Sequence, residues 1–260
     1  MSEGLYKEGE NRVLMDKVYQ KIDEAIADVN DGAVIAIAGF FACGVPRLLL
    51  QALIHKNVKN LTLACGCGPL VGATEEMKQL VKNGQLKKLI DSYGLSRSAS
   101  KGRLDPFEQA VRAGQIELEV VPMGTLAERY RAAAAGVAAV YLPTGTGSIV
   151  EKSVVSSISA NRTPKETRVF NGKTYILEYA LKPDFAFVHA HTGDREGNLR
   201  YAITARNFNP VMASAAKVTI AEVENLVEPG EIDPDSIHTP GIYVKRVVPV
   251  QRIQFRVGID

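Results

Sequence analysis

The chain has 260 residues, 46% of them hydrophobic, and 31 Lys and Arg against 29 Asp and Glu leave a net charge of +2. That much apolar material excludes disorder of the whole chain and suits one large domain or two small ones. A nearly balanced charge, no Trp and few aromatics exclude a nucleic-acid binder built on a basic stripe or on stacked bases.

The first twelve residues are polar and mixed in charge, with no apolar core of a signal peptide, and read as a flexible leader. No stretch of about 18 residues is free of charge and apolar enough to span a membrane. Three cysteines, Cys43, Cys65 and Cys67, are an odd count with apolar neighbours, which fits a reducing cytoplasm rather than a disulfide framework.

Leu14, Val18, Ile22, Ala25, Ile26 and Val29 recur at three and four residues and predict one amphipathic helix, ended at Asn30-Asp31-Gly32. Ala33 to Ala38 is a continuous apolar run of strand length, as in a parallel sheet covered on both faces. Gly39-Phe-Phe-Ala-Cys-Gly44-Val-Pro46 then leads into a helix from Arg47 to His55. Leu61 to Ala64 reads as a strand before the turn Cys65-Gly-Cys-Gly-Pro69, and Thr74 as the cap of a helix to about Lys82, stopped at Gly84. Ile116 to Val121 is a strand, Thr125-Leu-Ala-Glu128 a capping box, and Gly136 the end of the following helix.

Ala138 to Leu142 reads as a strand leading to Pro143-Thr-Gly-Thr-Gly147. Glu151 to Pro164 reads as a mobile insertion, and Arg168 to Leu177 as a hairpin turning at Asn171-Gly172. Phe185 to Ala190 and Val218 to Val223 are core strands, with an Asn209-capped helix between them and an alternating Tyr243 to Val250 after them. Strand, glycine-rich turn and helix in alternation predict a single α/β domain over residues 13–260: an open, mostly parallel sheet with flanking helices and a hairpin insertion. Its ligands are expected at the carboxyl ends of the strands.

Several groups carry chemistry. The Gly39–Pro46 loop stands between a buried strand and a helix, where backbone N–H groups can hold an anion; it also reads as an ordinary tight turn. Thr144 and Gly145 have the same two readings. Cys65 and Cys67, one residue apart, are a poor zinc pair and read better as small apolar side chains under the sheet. His189 and His191 share one strand face, with Asp194 the nearest third metal ligand, but a polar or site-lining face is the simpler reading. Arg206 and Asn207 precede a helix start; the guanidinium can grip a carboxylate or phosphate, or form a surface ion pair beside an Asn209 cap. No G-x-S-x-G supports serine hydrolysis, and no glutamate stands in a nucleophile's setting: Glu128 reads as a cap and Glu151 as a loop residue.

Taken in order, these stretches resemble the alpha subunit of the class I coenzyme A-transferases. The family signature is matched by Asp31-Gly32, five apolar residues, Ala38-Gly39-Phe40, three residues, then Gly44-Val45-Pro46, with Ala38 in place of the first glycine. Ile116-ELEVVP, Gly124-TLAERYRAA, Pro143-TGTG, Phe170-NGKTYILE, Gly193-DREGNL, Ala205-RNFNP and Ile237-HTPGIYVKRVV extend the likeness over roughly residues 13 to 250.

The resemblance implies a ping-pong transfer of CoA between an acyl-CoA and a small carboxylic acid of the 3-oxoacid class. A glutamate carries the acyl and CoA intermediates, and it sits in a Ser-Glu-Asn-Gly motif of the beta half. That motif does not occur in this sequence. The resemblance thus implies a beta-subunit partner, commonly in an A2B2 heterotetramer, with no catalytic residue here and CoA as substrate rather than as a bound cofactor. It implies a cleft lined by Gly39, Phe40, Phe41, Gly44, Met123, Gly124, Thr144, Gly145, Arg206 and Asn207. Members acting on 3-oxoacids usually carry Gln where Met123 stands, and its amide helps an oxyanion hole; thioether sulfur cannot donate. Losing one such donor costs about 10²–10³ in rate. Thioester hydrolysis or ring opening on the same fold is the alternative, and a non-catalytic sensor of sugar phosphates or acyl-CoA the third.

Overall fold

A computed structural model describes residues 15–67, 74–93, 106–152 and 164–251. The leader, Leu14, the segment 153–163 and the turn at Gly68 and Pro69 lie outside the described residues. So does the side chain of Thr74, and with it the cap expected there.

Helix α1 covers Ile22–Ala25 and is followed by β1 (Val34–Phe40), α2 (Arg47–Lys56), β2 (Leu61–Cys67), α3 (Thr74–Lys82) and β3 (Leu86–Asp91). Then come α4 (Pro106–Arg112), β4 (Glu117–Val120), α5 (Met123–Ala134), β5 (Ala139–Leu142) and α6 (Ile149–Lys152). The hairpin is β6 (Thr167–Phe170) and β7 (Lys173–Tyr179); Asn171 and Gly172 turn it with φ of 50° and 75°, as a tight Asn-Gly turn demands. Strand β8 (Phe185–Asp194), a short β9 (Leu199–Arg200), a 3-10 turn at Ile203–Arg206, α7 (Asn209–Ala215), β10 (Val218–Val227) and β11 (Val244–Pro249) complete the chain.

The main sheet runs β11-β10-β8-β1-β2-β3-β4, parallel throughout, with β9 antiparallel on β8. Alternation along β1 explains the unbroken apolar run. Ile35 and Ile37 pack in one core with Leu49, Leu53, Leu63 and Leu80, while Ala36 and Ala38 pack in another with Leu126, Tyr130 and Met212. Both faces are therefore covered by helices, as parallel sheets require. From β1 the chain winds outward through β2, β3 and β4, then returns to place β8 on the other side of β1. The carboxyl ends of β1 and β8 thus flank the switch point, where open α/β sheets form their binding crevice.

Several local expectations give way to tertiary structure. The long first helix shrinks to Ile22–Ala25, because Val18 bridges to Val247 and the amide of Tyr19 donates to Val247 O at 2.8 Å. β2 continues through Cys65 and Gly66, because Gly66 leaves room for the Phe208 ring; a Cβ there would lie 2.4 Å from it. The capping box fails: α5 begins at Met123 after Pro122 with no side-chain cap, Thr125 is buried with its hydroxyl unpartnered, and Glu128 pairs with Arg131. β5 does not join the main sheet but pairs with β7, making a separate antiparallel sheet β5-β7-β6. β3 carried no clear strand pattern in the sequence, since Lys87 and Lys88 interrupt it; Lys88 is matched by Glu117 and Glu119 of the neighbouring β4, at 3.0 and 2.7 Å. No helix among the described residues is long and apolar enough to cross a membrane.

Candidate active-site cleft at the strand ends

The turn after β1 is the centre of the candidate cleft. Phe40 and Cys43 exchange both backbone hydrogen bonds at 3.0 Å, folding the segment back on itself. Phe41 at its tip is held at φ 51°, a conformation that costs a bulky residue free energy and that the surroundings must impose. Gly39 has φ 121°, and a Cβ there would meet Val45 Cγ2 at 2.6 Å. Gly44 has φ 66°, and a Cβ would lie 2.7 Å from Ala205 O and 2.8 Å from Asn209 Nδ2. Both glycines are thus fixed by close approach as well as by backbone conformation.

Phe40 and Phe41 are exposed, although both are aromatic and Phe40 ends a buried strand. Their rings meet edge to face at 4.9 Å, and Tyr93, just past β3, stands 6.4 Å from Phe41. This is an apolar wall along the strand ends, offered to whatever fills the cleft. Met123 and Gly124 open α5 directly after β4, and both are exposed. The first N–H groups of a helix have no acceptor within it, and Pro122 supplies no cap. β4 stands three strands from β1, about 14 Å away at ~4.8 Å per strand, so these donors lie at the far side of the candidate cleft.

The N-terminus of α2 is not the open anion site its position suggested. Glu222 of β10, almost fully buried, accepts from the amides of both Leu48 and Leu49 at 3.0 Å through Oε2. The amide of Arg47 donates to Val45 O at 2.9 Å. The anion is the protein's own carboxylate, so the helix end anchors rather than binds.

The other oxygen of Glu222 meets His189 Nδ1 at 2.8 Å, and Glu224 Oε1 meets Nε2 at 3.2 Å. Burial pushes His189 toward the neutral form, but the hydrogen bonds and charges of the two glutamates outweigh it and hold its pKa above the ordinary range. The sequence placed His189 and His191 on one face, and the alternation of β8 agrees. Asp194 falls on the opposite parity and is engaged by the backbone and amide of Asn198, at 2.9 and 2.7 Å. Among the described residues no cluster of His, Cys, Asp and Glu is arranged for a metal ion. Glu222 and Glu224 escaped the sequence reading. Their spacing of two on a strand was the available signal, since the pairing of β8 with β10 sets Glu222 beside His189.

Asn209 is the first residue of α7, not its cap. Its buried amide receives the N–H of His189 at 2.9 Å and donates to Gly44 O and Ala205 O at 3.1 and 2.9 Å. Asn207 donates to Cys43 O at 3.1 Å. The 203–209 turn is thereby pinned to the 39–46 turn. Ile203 within it has φ 47° and is 92% exposed, a second strained residue beside the first turn. Arg206 is exposed on this turn, and burial together with the charges of Arg206 and Arg200 holds the His238 pKa below the usual range.

Thr144 and Gly145 stand on a different part of the fold, after a strand of the small sheet. Their loop follows β5 of the small sheet and closes on itself: Ser148 N donates to Gly145 O at 3.1 Å and Gly147 N to Glu151 at 2.5 Å. Cys65 is buried, and that burial together with Asp91 pushes its thiol pKa well up, away from nucleophile character. Cys43 is exposed on the turn after β1.

The family profile for Coenzyme A transferase matches residues 19–249. The chain is 43% identical over 244 residues to a protein of Mycobacterium tuberculosis named as one of the subunits of a probable succinyl-CoA:3-ketoacid coenzyme A transferase, covering 91% of this chain and 94% of that one. It is 41% identical over 238 residues to the corresponding subunit of the 3-oxoadipate CoA-transferase of Acinetobacter baylyi, covering 92% and 96%. An acyl-CoA transferase of Escherichia coli O157:H7, solved as a thioester complex with CoA, superposes with a TM-score of 0.76 at 22% identity over 91% of this chain and 47% of its own. This chain therefore spans about half of that longer one. By profile, by identity and by fold, the chain belongs to the coenzyme A transferase family.

Proposed function

We propose that this chain is the alpha subunit of a heteromeric CoA-transferase that moves CoA between an acyl-CoA and a 3-oxoacid. The observation that carries the reading is the exposed aromatic wall of Phe40, Phe41 and Tyr93 at the switch point of the sheet, an open half-cleft. The names of the relatives supply the substrate class and the subunit role. The match to about half of a longer acyl-CoA transferase supports a second half on another chain.

The resemblance to the class I transferases supplies the chemistry, and the absence of Ser-Glu-Asn-Gly from this sequence assigns the glutamate to the beta chain. A glutamate carboxylate from the beta chain attacks the thioester carbonyl; the C–S bond breaks, giving a mixed anhydride and CoA thiolate. The thiolate then attacks the glutamyl carbonyl and expels the donor acid, leaving a glutamyl-CoA thioester. The acceptor carboxylate reverses the sequence, so every bond and charge is restored and no oxidant is needed. This chain's part is to exclude water with Phe40 and Phe41, to offer the first amides of α5 to oxyanions, and to meet an acid carboxylate with Arg206. No bound cofactor enters this scheme.

Co-expression with a partner chain carrying Ser-Glu-Asn-Gly, followed by incubation with an acyl-CoA and a free 3-oxoacid, tests the proposal. Acceptor-dependent transfer, a glutamyl-CoA adduct on the partner, and a native mass of two alpha and two beta chains are expected. Transfer by this chain alone overturns the half-enzyme reading. Met123 favours one rival, thioester hydrolysis, which would release CoA without an acceptor acid.

A further inference from the structure

We propose that His189 is a positioning residue for the cleft: clasped by Glu222 and Glu224, it ties the start of α2 and the Gly39–Gly44 turn to the 203–209 turn. The inference rests on the cleft assigned above. Its basis is a continuous chain of contacts. Glu222 holds the Leu48 and Leu49 amides with one oxygen and His189 with the other. His189 gives its own backbone N–H to Asn209, whose side chain holds Gly44 O and Ala205 O. The strained Phe41 and Ile203 lie on the two turns this chain joins.

Protonation follows from geometry. Both ring nitrogens face a carboxylate oxygen, at 2.8 and 3.2 Å, and a neutral imidazole can donate to only one. The imidazolium satisfies both; the neutral ring sets a lone pair against a carboxylate. The charged groups acting on it are Glu222 and Glu224 of β10. Helix α2 contributes the Leu48 and Leu49 amides to Glu222, and α7 the neutral Asn209 to the His189 backbone. Loss of the proton therefore loosens the Glu222 clamp on the start of α2, the helix that follows the turn carrying Phe40 and Phe41, and transfer falls at high pH while substrate binding changes little.

The test uses the complex of this chain with its beta partner, and the full chain with isotope-labelled histidine and leucine. The sequence has four histidines, so the resonances can be assigned by substitution. The expected result is an alkaline limb in kcat whose midpoint matches the His189 titration. Glu224→Gln moves both to lower pH. His189→Gln removes the limb and lowers kcat by about 10²-fold, the scale of a misplaced reacting group, with KM within about twofold. A limb that stays in place in Glu224→Gln, or a wild-type profile in His189→Gln, overturns the proposal. If the wild-type complex transfers no CoA, the functional reading fails. The Leu48 and Leu49 amide signals then decide the inference alone: movement at the His189 midpoint supports it, and indifference overturns it.

Discussion

Asn209 holds Gly44 from beneath: its Nδ2 donates to the Gly44 carbonyl at 3.1 Å, and a single methyl on Gly44 would drive into that same nitrogen at 2.8 Å. The two residues are 165 positions apart, yet the turn after β1 has its shape only because this amide is where it is. Asn209→Ala strips partners from the His189 N–H and from the Gly44 and Ala205 carbonyls. A cost of about 2–4 kcal/mol is expected, each stranded buried group contributing about 1–3 at most. Thermal melting should fall by about 5–15 °C.

Gly44→Ala strains the same contact from the other side. The left-handed backbone and the clash with Ala205 O act together, and a loss above about 1 kcal/mol is expected. Gly230→Ala is the control: its φ is also positive, at 95°, but a Cβ there meets nothing within 4 Å. Urea midpoints for the two variants should separate, with Gly44→Ala the lower.

Met123 is the first residue of α5, 38% exposed, and burial does not explain its side chain. Met123→Gln places an amide donor at the rim. Acceptor-dependent transfer should rise, up to about the 10²-fold that one oxyanion donor supplies, relative to any CoA release without acceptor. Melting temperature should stay within about 1 °C. Unchanged transfer would remove Met123 from the account of specificity.

His189 makes stability pH-dependent with a definite sign. Its folded pKa stands above the ordinary value because Glu222 and Glu224 outweigh burial. The stabilisation is complete below an unfolded histidine's pKa of about 6.5 and is lost as pH rises through the folded value. Urea midpoints of the wild type should therefore decline over that window, and His189→Gln should flatten the decline.

Glu119 gives the opposite dependence. Burial opposes its charge, but Arg129 at 2.9 Å and Lys88 at 2.7 Å outweigh that and hold its pKa down. Its contribution is present at neutral pH and lost as pH falls below the usual glutamate range through the folded value. Arg129 also donates to Tyr179 O at 2.9 Å, joining β4 to the small sheet. Glu119→Ala should cost about 3 kcal/mol at pH 7, the scale for breaking a buried pair, and less in acid. Denaturation curves at pH 7 and pH 4 measure both.

The local pattern of the chain was enough for the alternating strands and helices, the parallel sheet, the Asn171-Gly172 hairpin, and the glycines at 39 and 44. Each is set by side-chain periodicity or backbone sterics within a few residues. The order of motifs was enough for the family. The partners of Glu222, the true role of Asn209, the exposure of Phe40 and Phe41, and the pairing of β5, which precedes Thr144 and Gly145, in a second sheet were decided only by folding. These depend on which strands pair. β8 and β10 are brought together, and β5 is taken away to β7, by contacts between residues far apart in sequence, which no local periodicity encodes. A helix end or a carboxylate looks open in the sequence because its partner is chosen by the register of a distant strand.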